Sequence, residues 1–141
     1  MAITYITENV NLPKQFKKRQ LSQWVKDIIQ THGKKTGDIA YIFCNDEKIL
    51  EINTQYLKHK YYTDIITFDY TEGNTVSGDI FISLDTVKTN SERFSTNYEE
   101  ELRRVMIHGI LHLCGIDDKT ATARIEMKRA ENEAFDLLSL S

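Results

Sequence analysis

A chain of 141 residues, 40% hydrophobic and 28% charged, has the size of one domain with one core and the composition of an ordinary globular protein. It carries no apolar run near the roughly 20 residues that span a bilayer, no signal-peptide pattern at its start, and two cysteines, Cys44 and Cys114, too few for a disulfide framework, so a reducing cytoplasm is the expected compartment. The net charge of −3 excludes a protein that coats nucleic acid over its whole surface.

The charge is uneven along the chain. Residues 1–60 carry ten Lys and Arg against six Asp and Glu (+4), and residues 61–141 carry eight against fifteen (−7). A local basic face for RNA, with the acidic half turned away, fits this split; so does a chance asymmetry on a solvated surface.

Residues 3–7 are β-branched and aromatic and predict a first strand. Asn11 and Pro13 have the chemistry of a helix start. Phe16, Trp24, Ile28 and Ile29 mark an apolar stripe running to about His32, with Gly33 as the stop. Residues 37–44 predict a second strand, with Ile39, Tyr41 and Phe43 on one face. A short helix over 46–57 follows, then a loop over 58–62 and a third strand from Ile65 to Tyr70. Turn chemistry over 71–75 and a fourth strand over 79–83 predict a hairpin whose loop is longer than the minimum.

From Asp85 onward the pattern is helical. One helix runs to about Phe94. Ser95 or Asn97 caps the next, with Glu99, Glu100 and Glu101 at its positive end. A last helix over 120–138 offers Ile125, Met127, Ala130, Ala134, Phe135 and Leu138 for packing. Four strands with about five helices, not strictly alternating, predict a single α+β domain over 1–141: a mixed sheet with helices packed on it.

The chemistry concentrates at one stretch, His108, Gly109, Ile110, Leu111, His112, Leu113, Cys114, Gly115, Ile116, Asp117 and Asp118. Two histidines four apart on a helix share a face and can converge on one metal ion. Gly115 ends the helix, and a chain that reverses there can return a carboxylate to the same ion. Two imidazoles, one carboxylate and an open position make the layout of a catalytic zinc site on a helix and the turn after it. Two histidines and one carboxylate also fit a non-haem iron triad. Chemistry alone does not choose between Asp117 and Asp118. A zinc peptidase places glutamate directly after its first histidine as the general base; here that residue is Gly109, so the peptidase reading loses its key group, whereas phosphodiester cleavage does not need it. Asp64, Asp69 and Asp79 are further candidate ligands, read here as caps of strand ends and turns. Cys114 reads as a small apolar residue rather than a ligand or nucleophile.

This stretch resembles the signature of the YbeY family of bacterial metal-dependent endoribonucleases, which runs His-Gly-x-Leu-His-Leu-x-Gly-x-Asp-His. It matches at His108, Gly109, Leu111, His112, Leu113, Gly115 and Asp117, with Asp118 where the family has a third histidine. Asn53, Tyr56, Thr63, Asp64, Ile65 and Phe68 fall on a second family segment, and Gly78, Asp79 and Ile80 on a third. The resemblance implies a zinc-dependent, single-strand-specific endoribonuclease with one zinc per chain. It implies action on ribosomal RNA in small-subunit 3′-end maturation and ribosome quality control, with the small ribosomal subunit as partner and neither membrane nor DNA. It assigns the metal to His108, His112 and Asp118 and leaves Asp117 to orient a ligand or cap the turn. Leu57 stands where the family carries an arginine associated with phosphate handling, which makes Lys58, His59 and Lys60 the candidate phosphate contacts. The nucleophile, a metal-bound water or the RNA 2′-hydroxyl, is not assigned. The alternative readings are a ribosome-associated binding factor whose metal holds the turn at Gly115, and a zincin-like hydrolase of another substrate.

Overall fold

The structure is a computed structural model that describes residues 2–57 and 63–139. Its elements are β1 (Ile3–Thr7), α1 (Lys18–Thr31), β2 (Lys35–Cys44), α2 (Asp46–Leu57), β3 (Ile65–Asp69), β4 (Thr75–Ser83), α3 (Leu84–Arg93), α4 (Tyr98–Leu113) and α5 (Ala121–Phe135). The strands form one sheet in the order β1-β2-β4-β3. β1 and β4 run parallel to β2, and β3 runs antiparallel to β4 along an edge. This is the mixed sheet with five helices, a single α+β domain, that the sequence predicts.

The two sheet faces are unequal. Ile39, Tyr41 and Phe43 of β2 and Val76, Ile80 and Ile82 of β4 join the main core with α1 and α4, following the period of two along each strand. The other face holds a small cluster of Cys44, Ile49, Ile52 and Ile66 under α2. Trp24 is buried in the main core, and its indole Nε1 donates to the Ala134 carbonyl at 2.7 Å, tying α1 to α5 across 110 residues of sequence. No helix among the described residues is long and apolar enough to cross a membrane.

Several boundaries differ from the sequence reading. Neither Asn11 nor Pro13 begins α1, which starts at Lys18 with no side-chain cap. Pro13 instead accepts from the Phe16 amide in an isolated turn. Phe16 packs edge-on against Tyr5 and Phe43, with ring centroids 5.5 and 5.6 Å away. Aromatic packing on the sheet thus overrides the local helix signal. β2 begins at Lys35 and β4 at Thr75 because these two residues pair with each other. The β3–β4 hairpin is therefore tighter than its sequence predicts, closed by a Glu72–Thr75 bridge with Gly73 at φ +58°. Asn97, not Ser95, caps α4, accepting from the amides of Glu99 and Glu100; Ser95 is a left-handed residue in the link. In α5 the inward positions are Met127, Glu131 and Ala134, spaced by four and three as one helix face requires. Ile125 falls off that face and is 68% exposed.

Gly109 sets how closely α4 lies on the sheet. A Cβ built there would sit 3.0 Å from Ile65 Cδ1 and 3.1 Å from Ile80 Cγ2. The glycine removes the one side chain that would hold the histidine-bearing turn of α4 away from β3 and β4. Gly109→Val is expected to destabilise the fold by roughly 1–3 kcal/mol or more, the cost of overpacking, measured as a lower urea midpoint; an unchanged midpoint would show that the contact is not tight.

Candidate active site

α4 carries Glu101, Arg104, Val105, His108 and His112 at steps of three and four, so they form one stripe. That stripe walls a cleft of about 470 Å³. The opposite wall is β3 and the residues before it: Thr63, Asp64, Ile65 and Thr67. Asp118 from the turn after α4 and Glu131 from α5 complete the lining. The turn has a defined cause. Gly115 adopts φ +102°, its amide bonds to the His112 carbonyl at 3.0 Å, and the Ile116 amide bonds to the Leu111 carbonyl at 3.1 Å. This pair of bonds is a Schellman stop, and it sends the chain back along α4 far enough for Asp118 to face His108.

His108 is held from both sides. Its Nδ1 lies 2.8 Å from Glu131 Oε2, and its Nε2 lies 3.3 Å from Asp118 Oδ2. Glu131 is only 7% exposed, and its second oxygen, Oε1, accepts from Arg104 Nη1 at 2.9 Å. Arg104 in turn donates to Asn132 Oδ1 at 3.2 Å and lies 4.9 Å above the Phe135 ring.

The electrostatics follow from this packing. Burial by itself would push the His108 imidazole down. The Glu131 hydrogen bond and charge, joined by Asp118 and Asp64, oppose that, and the net shift is upward. Burial likewise acts to raise Glu131, but its bonds to His108 and Arg104 outweigh it and the carboxylate is held below its usual range. Asp64 is raised, mainly by burial and only partly relieved by His108. Glu101 is raised by burial and by the charge of Asp64.

Among the described residues, four carboxylates, Asp64, Glu101, Asp118 and Glu131, share the cleft with one permanent cation, Arg104. Such a set is suited to a metal cation. Two ligands each about 2.0–2.1 Å from a tetrahedral ion stand about 3.3 Å apart, and His108 Nε2 and Asp118 Oδ2 are 3.3 Å apart. His112 lines the same cleft. The donors fit zinc in kind and in the spacing of this pair, although among the described residues no group of three His, Cys, Asp or Glu side chains stands in complete metal-holding geometry.

Other residues singled out in the sequence fall elsewhere. Asp117 does not line the cleft; its Oδ1 accepts from the Lys119 amide at 3.1 Å. Asp69 accepts from the Thr71 amide, and Asp79 accepts from the Tyr70 hydroxyl. Burial pushes the Cys114 thiol up to about 11 and that of Cys44 to about 12, so neither is a thiolate at neutral pH. Lys58, His59 and Lys60 lie outside the described residues. Arg104 and Glu131 were not singled out by the sequence reading. The available signal was the phase of α5: Glu131 sits four residues after Met127 and three before Ala134, on an otherwise apolar face, where a carboxylate needs a partner.

The family model described as Endoribonuclease YbeY matches residues 5–139. The chain belongs to the endoribonuclease YbeY family. It is 63% identical over 138 residues to an Endoribonuclease YbeY of Parabacteroides distasonis, covering 98% of this chain and 96% of the relative. It is 64% identical over 135 residues to one of Bacteroides fragilis, covering 96% of each. The solution structure of TM1509 from Thermotoga maritima superposes with a TM-score of 0.62 at 25% identity, over 96% of this chain and 90% of that one. Family membership and fold thus agree over nearly the whole chain.

Asp64 provides a test of the cleft electrostatics in the metal-free protein. Its carboxyl is raised in the fold, so the wild type loses stability relative to a neutral residue as pH rises from the unfolded-state value through the folded one. Asp64→Asn is expected to raise the thermal midpoint at pH 7, with the gain vanishing near pH 3. An equal midpoint at both pH values would show that Asp64 is well solvated.

Proposed function

We propose that this chain is a zinc-dependent, single-strand-specific endoribonuclease of the cytoplasm that acts on ribosomal RNA at the small-subunit 3′ end and in ribosome quality control. The observation that carries this reading is the pairing of His108 Nε2 with Asp118 Oδ2 at 3.3 Å in a cleft that His112 also lines. Family membership supplies the RNA substrate class: the relatives are named endoribonucleases.

In this reading His108, His112 and Asp118 hold one zinc ion. Bound zinc supplies Lewis-acid polarisation of a phosphoryl oxygen. The chain's own residues do the remaining work. The carboxylates of the cleft repel a phosphodiester until a cation offsets them, which makes RNA entry conditional on a loaded site. Arg104 is engaged by Glu131 and Asn132 and serves the wall of the cleft rather than the substrate. Positive charge for the RNA backbone is assigned to Lys58, His59 and Lys60, in place of the arginine the family carries at the position of Leu57. Thr63 and Thr67, half-buried in the lining of the cleft, are assigned contacts to the ribose or phosphate in this reading.

Metal analysis of protein purified without added metal is expected to find about one zinc per chain. His108→Ala, His112→Ala and Asp118→Ala are each expected to lose it, Asp118→His to retain it, and Asp117→Ala to weaken it only. Normal zinc in Asp118→Ala with loss in Asp117→Ala would reverse the carboxylate assignment. Cleavage of single-stranded RNA should disappear with the metal; full zinc occupancy with no cleavage of any RNA would instead favour a binding factor.

Reversing Lys58 and Lys60 together to Glu is expected to weaken RNA binding and flatten its salt dependence, since fewer counterions are released, with zinc content unchanged. Unaltered affinity would place the phosphate contacts elsewhere.

A further inference from the structure

We infer that Arg104 and Glu131 act together as positioning residues that set the tautomer of His108. The inference rests on the zinc reading above for its consequence, but not for its structural basis.

Arginine can only donate hydrogen bonds. Arg104 Nη1 points at Glu131 Oε1 at 2.9 Å, so that oxygen must accept. The other oxygen, Oε2, is an acceptor as well, because a carboxylate ion-paired with Arg104 at 2.9 Å has no proton to donate; its partner at 2.8 Å is His108 Nδ1. Nδ1 must therefore carry a proton. In the neutral imidazole this leaves Nε2 as a bare lone pair, aimed at Asp118. A competing arrangement, with the proton on Nε2 and shared with Asp118, has the longer contact, 3.3 Å against 2.8 Å, and the more exposed carboxylate, 41% against 10%. The shorter and drier bond wins. Glu131 of α5, held by a donor of α4 that cannot reverse, thus fixes which nitrogen of His108 is available.

This chain of roles makes an unusual demand on the mildest substitution. Glu131→Gln keeps size and shape but has one oxygen and one NH₂ group. Arg104 claims the oxygen. The NH₂ group then faces His108 Nδ1, which has to accept, and the proton moves to Nε2, where it opposes metal binding. Removing the donor that forces this choice, in the double variant Arg104→Met with Glu131→Gln, frees the amide to turn its oxygen to Nδ1 and restores the original tautomer. A residue that merely filled space would not produce loss in the single variant and recovery in the double.

The test has two readouts on the full chain. The first is ¹⁵N NMR of the imidazole nitrogens of His108 in metal-free protein, at a pH above the titration of the ring. The second is zinc affinity by competition with a chelator. The wild type and Arg104→Met are expected to hold the proton on Nδ1, and Glu131→Gln to hold it on Nε2. Zinc affinity is expected to fall 10–100-fold in Glu131→Gln, the usual effect of losing such an outer partner, and to recover at least tenfold in a double variant that has lost 100-fold in the single. A proton on Nδ1 in folded Glu131→Gln overturns the proposal, as does a folded double variant whose tautomer and affinity stay with the single. A wild type that shows the expected tautomers but binds no zinc would overturn the zinc reading and leave the positioning of His108 standing.

Discussion

The site depends on how closely α4 approaches the β3–β4 hairpin at Gly109. Without a side chain there, the helix lies against Ile65 and Ile80, and the residues flanking the contact, His108 and His112, are brought to the rim of β3. The cleft is the space left where helix and edge strand meet. Its other wall is an edge because, among the described residues, β3 pairs with β4 alone. The Schellman stop at Gly115 then returns the chain so that Asp118 enters from the third side. Each of these features is a backbone decision, and together they place four carboxylates and two imidazoles around one volume.

That concentration of like charge opposes stability. Asp64 and Glu101 are both raised by burial and by neighbouring carboxylates. Glu131 escapes the same fate because Arg104 and His108 hold it ionised. The cleft is therefore divided into a charge-paired part, the Arg104–Glu131–His108 chain, and a part around Asp64 where burial outweighs the charge of His108 and the backbone amides of Asp64 and Ile65. Buried carboxylates whose titration is displaced upward mark a candidate functional site. In the proposed zinc reading, a divalent ion would relieve this repulsion and so couple metal binding to the stability of the fold.

The packing of α5 supports the network. Trp24 fixes the last turn of α5 to α1 through the Ala134 carbonyl, and Arg104 lies over Phe135 on that same turn. Glu131 sits on the inner face between Met127 and Ala134. Its carboxylate thus stands on an element held at its end by a buried hydrogen bond and a ring contact. The proposed zinc site would gain from such support, because an imidazole ligand is only as well placed as the group behind it.

The sequence by itself determined the element types, the mixed sheet, and the residues with metal-binding chemistry. Periods of two and of three to four are local properties, and the spacing of His108, His112, Gly115 and Asp118 is a local pattern; the combination of motifs also marked the family. Only the tertiary structure decided where α1 begins, since the pull on Phe16 comes from Tyr5 and Phe43 on two strands. Only it showed that the hairpin is tight, because Lys35 and Thr75 lengthen each other's strands. It also decided the meaning of Gly109, which in sequence is an absent glutamate and in space is a contact surface. Glu131 is the clearest case. It lies 23 residues from His108, its helix shows a weak apolar face, and its partners come from α4. A buried carboxylate acquires its role from the groups that ionise it, and those groups are brought to it by the fold, not by their place in the chain.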